Sequence, residues 1–328
     1  FPVSQAPCFA SWSHSELETY ALTAWSSSVP TPTPLDTAAC PSASVKQASM
    51  VNELQRGAVD LGIPAEESQE TAGAAPTLTD AAMSSALMAL YDSTNGPWWG
   101  QRWNWGDTSM SACRWYGVCC NATFEEFQSC PRPDWESGDF TGSCCTTSGV
   151  VTILILSENN LRGTIPSAFS RLNYLQSLEL SSNQLSGTIP SELGQLGNLG
   201  YLNLSSNQLN GAIPSELGQL SALKYLYLSS NQFSGAIPSE LGQLSALMIS
   251  DLRFNQLSGT IPPELGQLSA LNALGLAANQ LSGTIPSELG TLSALKYLYL
   301  YSNQLSGTIP SELGTLSALK YLYLYSNQ

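Results

Sequence analysis

The residues with the most definite chemistry are the cysteines, of which the chain has eight. All of them lie before residue 151, in sequence rich in turn-forming residues, at Cys8, Cys40, Cys113, Cys119, Cys120, Cys130, Cys144 and Cys145. An even number of clustered cysteines predicts disulfide bonds and an oxidising compartment. Zinc is the alternative, but its ligands are spaced as Cys-x2-Cys or Cys/His pairs, whereas the close pairs here are adjacent. We therefore expect disulfides, and neither a metal nor a cofactor.

Groups suited to acid–base or nucleophilic catalysis are scarce. The single histidine, His14, lies far from the other candidates, and the sequence contains no phosphate-binding loop, HExxH motif or nucleophile elbow. Asp251 offers a carboxylate, but the nearest glutamates belong to the opposite side of the repeat described below. We therefore expect that the protein is not an enzyme.

The charge distribution excludes a nucleic-acid ligand. The formal net charge is -14, with 16 acidic and 5 basic residues before residue 151, and 9 acidic and 6 basic residues after it. Phosphate binding requires a basic stripe, which this chain lacks. No run of 18 apolar residues occurs, so we expect no membrane span in this chain.

Two further features favour a secreted or cell-surface location. The chain begins at Phe1 rather than Met, which suggests that a signal peptide has been removed or was never included in this sequence. The triplets that begin at Asn121 and Asn203 are acceptor sequences for N-glycosylation, although such triplets are frequent by chance.

A repeat must position all other candidate residues, because asparagine recurs every 24 residues from Asn159 to Asn327. A period this constant indicates a solenoid. Seven full units and a partial eighth begin at Val151, Leu175, Leu199, Leu223, Leu247, Leu271, Leu295 and Leu319.

The second unit shows why a coil should form. Leu175, Leu178 and Leu180 alternate as in a short strand, and Leu185, Ile189, Leu193 and Leu196 complete an inward-facing ring. Stacked coils bury such a ring from both sides, at ~1.5 to 3 kcal/mol per fully buried side chain. Asn183 is expected to bond the backbone of its own and adjacent coils, while Gly187 and Pro190 fit the following bend.

The pattern LxxLxLxxNxLxGxIPxxLGxL resembles the plant-specific class of leucine-rich repeats, found in receptor-kinase ectodomains, polygalacturonase-inhibiting proteins and secreted proteins of algae and protists. The resemblance covers residues 151–328. It implies an α/β solenoid, a curved right-handed superhelix of 24-residue repeats with a parallel sheet on its concave face and a disulfide-bonded helical N-terminal cap.

The segment Asp80 to Cys120 is similar to the N-terminal cap of that family, with a helix, a Trp-rich turn and a Cys-x-Trp-x-Gly-Val-x-Cys clasp. The resemblance implies a bond between Cys113 and Cys120, although the extra Cys119 and an insertion to Cys145 depart from the family pattern. We assign the cap to residues 77–150 and the repeats to 151–328. Residues 1–76 are expected to form a helical extension of unknown role.

Outward strand positions of such a repeat carry nine of the thirteen tyrosines. They are Tyr201, Tyr225, Tyr227, Tyr297, Tyr299, Tyr301, Tyr321, Tyr323 and Tyr325. Adjacent strands lie ~4.8 Å apart, so the rings are expected to form ladders. An exposed aromatic patch is typical of an interaction site. The alternative is that duplication copied one tyrosine-bearing unit and the rings only stack on one another.

Two other columns recur, the first on the convex side and the second on a flat face of the solenoid. One glutamate per unit, from Glu192 to Glu312, forms a row that we interpret as a solvated face, because single carboxylates make a poor calcium cage. Serine and threonine alternate in Ser-Gly-Thr-Ile-Pro segments, as in Thr188, Thr260, Thr284 and Thr308, which allows ice binding as a lesser alternative.

The fifth unit departs from the others in its strand, LMISDLRFN. Ser250 replaces a core leucine, and Ile249, Asp251, Arg253 and Phe254 are expected to point outward or toward the strand's edge. The unit is either a decayed copy or an interface centre beside the tyrosines. On the second interpretation, changing Arg253 and Phe254 to alanine weakens binding by ~2 kcal/mol with little change in melting temperature.

The sequence thus favours a non-catalytic extracellular module that binds a protein or cell-surface glycan through its tyrosine-rich concave face. The main alternative is a structural spacer or subunit of an extracellular assembly. We also expect a neighbour or further repeats to cover Leu319, Leu322 and Leu324, since an uncapped coil exposes apolar surface and strand edges.

Overall fold

The computed structural model describes residues 80–107, 109–129 and 143–328, all within the second of two units of the chain, Gly73–Gln328. The predictions for the N-terminal extension, including Cys8 and Cys40, lie outside the described residues, as does Cys130.

The described residues contain two α-helices, α1 (Asp80–Ser93) and α2 (Phe124–Ser129), and a long series of short strands. The strands are β1 (Val118–Cys120), β2 (Val151–Ile155), β3 (Arg162–Gly163), β4 (Ser177–Glu179), β5 (Gln184–Gly187), β6 (Tyr201–Asn203), β7 (Gln208–Gly211), β8 (Tyr225–Tyr227), β9 (Gln232–Gly235), β10 (Ile249–Asp251), β11 (Gln256–Gly259), β12 (Ala273–Gly275), β13 (Gln280–Gly283), β14 (Tyr297–Tyr299), β15 (Gln304–Leu305) and β16 (Tyr321–Tyr323).

Each of the seven full coils contributes one strand to each of two sheets and one 3-10 turn, and the partial eighth coil contributes only β16. The first sheet, here called the concave sheet, has nine strands in the order β1-β2-β4-β6-β8-β10-β12-β14-β16. The second sheet has seven strands, from β3 to β15. The 3-10 turns are Ser167–Arg171, Ser191–Gln195, Ser215–Gln219, Ser239–Gln243, Pro263–Gln267, Ser287–Thr291 and Ser311–Thr315. This is the solenoid that the 24-residue period predicts.

The strands of the concave sheet pair in parallel and in register, so that equivalent residues of successive coils lie side by side. Tyr201 pairs with Tyr225, and Ile249 pairs with Ala273. Inside the sheet, the leucines of each unit pack into one continuous core that runs from α1 to the last 3-10 turn. The ring of the second unit is buried as predicted, with Leu185 and Leu196 fully inaccessible to solvent.

The recurring asparagine joins adjacent coils through its side chain. Asn231 Nδ2 donates to the carbonyls of Leu204, Leu228 and Ser229, at 2.9, 3.2 and 3.3 Å, and its Oδ1 accepts from the backbone N–H of Leu209 at 3.0 Å. Leu204 and Leu209 belong to the preceding coil, so one side chain satisfies backbone groups of two coils. The predicted role of this asparagine is confirmed.

The glycine of the Gly-Thr-Ile-Pro bend meets a requirement of its backbone. Gly187 has a φ of 75°, in the left-handed region, and a Cβ there would lie 3.1 Å from the Thr164 side chain of the previous coil. Glycine is therefore favoured in this position both by its dihedral angle and by the close approach of successive coils.

The N-terminal cap closes the first coil with a helix, an aromatic cluster and one antiparallel strand. Met83, Leu87 and Leu90 of α1 are buried in the solenoid core. Strand β1 pairs antiparallel with β2, so it covers the backbone edge that the first repeat would otherwise expose.

Disulfide bonds hold this cap together. Cys113 bonds Cys120, the pairing that the family resemblance implies, and the extra Cys119 bonds Cys145. Cys144 is also disulfide-bonded. The second bond ties the inserted segment to β1, which explains how the cap accommodates a cysteine within the clasp.

Candidate binding surface

The tyrosines predicted to line the concave sheet lie there in two groups separated by two coils. The first group is Tyr201, Tyr225 and Tyr227, and the second is Tyr297, Tyr299, Tyr301, Tyr321, Tyr323 and Tyr325. In the second group three pairs of rings from adjacent coils stack within 8° of parallel, with centroids 4.8 to 5.4 Å apart. The predicted ladder is therefore present where the same unit occurs twice in succession.

The rings are more buried than free surface rings would be. Tyr227 is 1% exposed, and Tyr325 is 55% exposed at the last coil. The others described here are half-buried, because each ring packs against its neighbours. Burial raises the pKa of Tyr227 and of Tyr299 above the ordinary value for tyrosine. The face thus presents partly covered rings rather than freely exposed ones.

A polar cluster that was not among the sequence-based predictions lies beside the first tyrosine group. Glu179 accepts hydrogen bonds from the Tyr201 hydroxyl at 3.0 Å, from Asn203 Nδ2 at 2.9 Å and from the Ser181 backbone at 2.9 Å. Burial raises the pKa of Glu179 in spite of these bonds, which favour its charged form. The signal in the sequence was the Glu and Asn at the strand position where other units carry tyrosine.

The centre of the concave sheet differs from the sequence-based expectation. Asp251 and Arg253 do not form an open charged patch, since they are 2% and 7% exposed. Arg253 Nε donates to Asp251 Oδ1 at 2.7 Å, and Nη2 donates to Oδ2 at 3.0 Å. Removal of one partner from a pair this deeply buried leaves an unpaired charge, which is strongly destabilising. The expectation that Arg253 is accessible is therefore wrong, and we now expect its replacement to lower the melting temperature.

The following coil has small residues at the positions over which the Arg253 side chain lies. Ala273, Gly275 and Ala277 occupy its outward strand positions, and a Cβ on Gly275 would lie 2.9 Å from Asp251 Oδ1 and 3.0 Å from Arg253 Cγ. The guanidinium extends across this coil to Tyr299, with Cζ 5.1 Å from the ring centroid. Two adjacent irregular coils thus complement each other, which argues against interpreting the fifth unit as a decayed copy.

The other irregular residues of that strand are also covered. Ser250 is 4% exposed at the position of a core leucine, and Ile249 is 5% exposed between Tyr225 and Ala273. Phe254 is half-buried and has a φ of 55°, a left-handed conformation that serine adopts at this position in most other coils. Ile249 lies in the outward register beside Tyr225 and Ala273, as expected, but it is buried rather than accessible to solvent.

The structure separates the two glycosylation triplets. Asn203 is fully buried, and its Nδ2 donates to Glu179 while its Oδ1 accepts from Ser205 Oγ at 2.7 Å. Asn121 is exposed, although its Nδ2 donates to Thr146 Oγ1 at 3.1 Å and to the Ser148 carbonyl at 3.2 Å.

We expect no glycan on Asn203 in folded protein from a glycosylating host, because the amide that would carry it faces the packed sheet. Glycopeptide mass spectrometry measures its occupancy, with the Asn121 peptide as the internal comparison. Substantial occupancy at Asn203 would contradict the packing described here.

The two other predicted columns lie outside the concave sheet. Glu216, Glu240, Glu288 and Glu312 are exposed in the 3-10 turns, and Thr188, Thr260, Thr284 and Thr308 are exposed beside the second sheet. Within the described ranges, no group of three or more His, Cys, Asp or Glu residues has the geometry of a metal site. No helix of the part that the structure describes is long and apolar enough to cross a membrane.

Two family comparisons agree on the repeats. A model described as leucine-rich repeat matches residues 150–209, and one described as a leucine-rich repeat region matches residues 202–328. Neither describes a catalytic family. None of the curated proteins matches the chain.

The similar solved structures include a PEPR1–AtPEP1 complex and a plant receptor ectodomain in complex with a peptide hormone. A PEPR1–AtPEP1 complex is 30% identical at a TM-score of 0.63, over 75% of this chain and 31% of that one. The Arabidopsis receptor kinase HAESA ectodomain with an IDA peptide hormone is 29% identical at a TM-score of 0.55, over 75% of this chain and 41% of that one. The chain therefore spans about a third of the length of these receptor structures.

A plant ice-binding protein is also similar, with 25% identity and a TM-score of 0.53. In that case the match covers 76% of this chain and 87% of the other. The repeat pattern, the two parallel sheets of the repeats, the family matches and the similarity to receptor structures all indicate the same family. Residues 150–328 of this chain therefore belong to the leucine-rich-repeat family, in the form found in plant receptor ectodomains.

Proposed function

We propose that this chain is a non-catalytic extracellular binding module that holds a protein or peptide ligand across the tyrosines of its concave sheet. The observation that carries the proposal is the second tyrosine group, where six rings from two adjacent coils form a stacked, partly exposed layer. The similarity to the HAESA ectodomain, which was solved with an IDA peptide hormone, supports a peptide rather than a glycan. The disulfide bonds of the cap support an extracellular location.

The stacked rings suit binding because they are already ordered. A tyrosine held between neighbours loses little conformational freedom when a ligand arrives, and its hydroxyl remains able to donate or accept a hydrogen bond. In this proposal Asp251 and Arg253 contribute indirectly, by fixing Tyr299 from below. Phe254 and the first tyrosine group extend the same face toward the cap.

The proposal is tested by changing Tyr297 and Tyr321 together to alanine, a stacked pair with centroids 5.4 Å apart. We expect binding of the native partner to weaken by about 2 kcal/mol, or roughly thirtyfold, because aromatic anchors dominate interface energies. Wild-type and variant protein on beads, exposed to native extracellular material, are compared by quantitative mass spectrometry.

The matched control changes Gln280 and Gln304 to alanine, since both are exposed on the second sheet. Partners that the control retains and the tyrosine variant loses are ligands of the concave sheet. Equal retention by all three proteins would contradict the proposal and favour the structural-spacer interpretation.

A second candidate function, ice binding, is favoured by one specific observation. The similarity to the plant ice-binding protein extends over 87% of that chain, and the threonines beside the second sheet of this chain are exposed. Ala212 and Ala236 interrupt their row, which reduces the regular surface.

If this candidate is correct, dilute protein shapes growing ice crystals into facets, and Thr284→Lys reduces the effect because a long charged side chain prevents close approach of the ice surface. Gln195→Lys, on an exposed 3-10 turn, serves as the control. Unshaped, disc-like crystals with the wild-type protein would exclude ice binding.

A further inference from the structure

The second tyrosine group brings phenol rings of two adjacent coils into direct contact. The rings of Tyr301 and Tyr325 have centroids 4.8 Å apart and lie 8° from parallel. The other two stacked pairs of the group have centroids 5.3 and 5.4 Å apart. These distances follow the spacing of neighbouring strands, because the two coils stack in register. Each phenol of the group therefore has a second phenol as its immediate neighbour.

The closest of these pairs is accessible from solvent. Tyr325 is 55% exposed, and Tyr301 beneath it is half-buried. Tyr323 meets the Tyr325 ring edge-on, with centroids 6.4 Å apart and an angle of 88° between the rings. An oxidant in solution can therefore reach the Tyr325 ring, whose stacked partner is already in place.

Two phenols in contact have a definite oxidative chemistry. Loss of an electron and the hydroxyl proton converts tyrosine to a tyrosyl radical, whose unpaired electron is shared between the oxygen and the Cε carbons. Two such radicals form a bond between one Cε of each ring, and the hydrogen on each bonded carbon then moves to the oxygen and restores the phenol. The pair loses two electrons and two protons, and one molecule of hydrogen peroxide takes them up to form two molecules of water.

We propose that Tyr301 and Tyr325 are an oxidative modification site, at which a peroxidase with hydrogen peroxide joins the two rings by a carbon–carbon bond. The ring contact carries this inference, since a radical formed on one ring meets its coupling partner without diffusion. The disulfide bonds of the cap indicate the oxidising surroundings that such a reaction requires.

The inference goes beyond the proposed function, because the bond forms without a ligand. It joins adjacent coils and closes a loop of the chain, so it restricts the unfolded state in the way that a disulfide does. The tyrosines of this group then serve to fasten the coils to one another as well as to present a surface.

The first tyrosine group provides a comparison within the same chain. Tyr201 and Tyr225 are also equivalent residues of adjacent coils, and both are half-buried. Their centroids are 6.0 Å apart, and their rings are tilted by 50° rather than stacked. If ring contact decides the reaction, this pair couples much less than Tyr301 and Tyr325.

Tryptic cleavage separates the members of both pairs. Cleavage after Lys296 and Lys320 releases peptides 297–320 and 321–328, and each contains three tyrosines. Cleavage after Lys224 separates Tyr201 from Tyr225. A cross-link therefore appears as two joined peptides with the sum of their masses less two hydrogen atoms, and fragmentation identifies the bonded residues.

The experiment treats the full chain with a peroxidase and limiting hydrogen peroxide, isolates the monomer band from a denaturing gel and quantifies the joined peptides by mass spectrometry. The variant Tyr325→Phe keeps the ring and its stacking but lacks the hydroxyl from which the radical forms. The matched variant Tyr225→Phe makes the same change in the first tyrosine group. Circular dichroism of both variants checks that the fold is retained.

We expect the bond between Tyr301 and Tyr325 to form within the monomer at a yield roughly tenfold above that of the bond between Tyr201 and Tyr225. Tyr325→Phe should abolish the first bond, whereas Tyr225→Phe should leave its yield unchanged.

Three outcomes would overturn the inference: no bond between Tyr301 and Tyr325 in the monomer, cross-links only between copies of the chain, or equal yields in the two tyrosine groups. None of them affects the proposed binding function, because ligand binding requires no oxidation and is measured without peroxide. Failure of this inference is therefore distinct from failure of the binding test on Tyr297 and Tyr321.

Discussion

Replacing Arg253 with alanine is expected to lower the free energy of unfolding by about 3 to 5 kcal/mol, because Asp251 would keep a buried charge without its partner. Asp251 is 2% exposed, and two hydrogen bonds to the guanidinium, at 2.7 and 3.0 Å, compensate its loss of hydration. The change also removes the cation that lies 5.1 Å from the Tyr299 ring, so the second tyrosine group loses part of its support.

Urea unfolding followed by circular dichroism measures this effect. Arg171→Ala is the matched control, since Arg171 is exposed at the end of a 3-10 turn and its loss should change stability by less than about 0.5 kcal/mol. Changing both Asp251 and Arg253 to alanine should cost less than Arg253→Ala alone, because no unpaired charge remains. A double variant less stable than the single one would show that the pair is not the source of the effect.

Replacing Asn231 with alanine is expected to destabilise the protein by about 1 to 3 kcal/mol, since the buried Leu209 N–H loses its acceptor whereas each of the three carbonyls keeps a second donor. The side chain bonds three carbonyls and one N–H, and two of these four groups, on Leu204 and Leu209, belong to the previous coil. The loss therefore weakens the contact between coils as well as one turn.

The neighbouring Gln232 provides the control for Asn231. It is exposed in β9, so Gln232→Ala should leave the urea midpoint nearly unchanged. Hydrogen exchange adds a local measurement, because the Leu209 amide donates to Asn231 Oδ1 and should lose protection in the variant. A destabilisation below about 1 kcal/mol with unchanged exchange at Leu209 would contradict the assigned role.

These two predictions separate stability from recognition on the concave sheet. Arg253 was a reasonable interface candidate from its sequence, yet its burial means that a binding assay on its alanine variant would report partly on unfolding. Tyr297 and Tyr321 are better tests of binding, because both are half-buried rather than fully buried. When binding and stability are both measured for the two kinds of variant, a loss of binding at unchanged stability indicates an altered surface, and a loss of both indicates unfolding.

The sequence by itself determined the architecture of the repeats. A 24-residue period with fixed apolar positions can bury its leucines only by stacking, so the solenoid, the parallel sheet and the role of Asn231 follow from local pattern. The strand positions of the tyrosines follow for the same reason, since one register holds throughout the concave sheet. A disulfide-bonded cap was predicted as well, and the pairing of Cys113 with Cys120 required the family resemblance.

Only the tertiary structure decided which outward residues are accessible. Periodicity assigns Asp251, Arg253 and Asn203 to the outward face, but it contains no information on what neighbouring coils place above them. Arg253 is buried because Gly275 leaves it room and Tyr299 covers it, and Asn203 is buried because Glu179 accepts its amide. Burial on a packed face depends on the size and charge of side chains one and two coils away, which are distant in sequence and adjacent only after the coils have stacked.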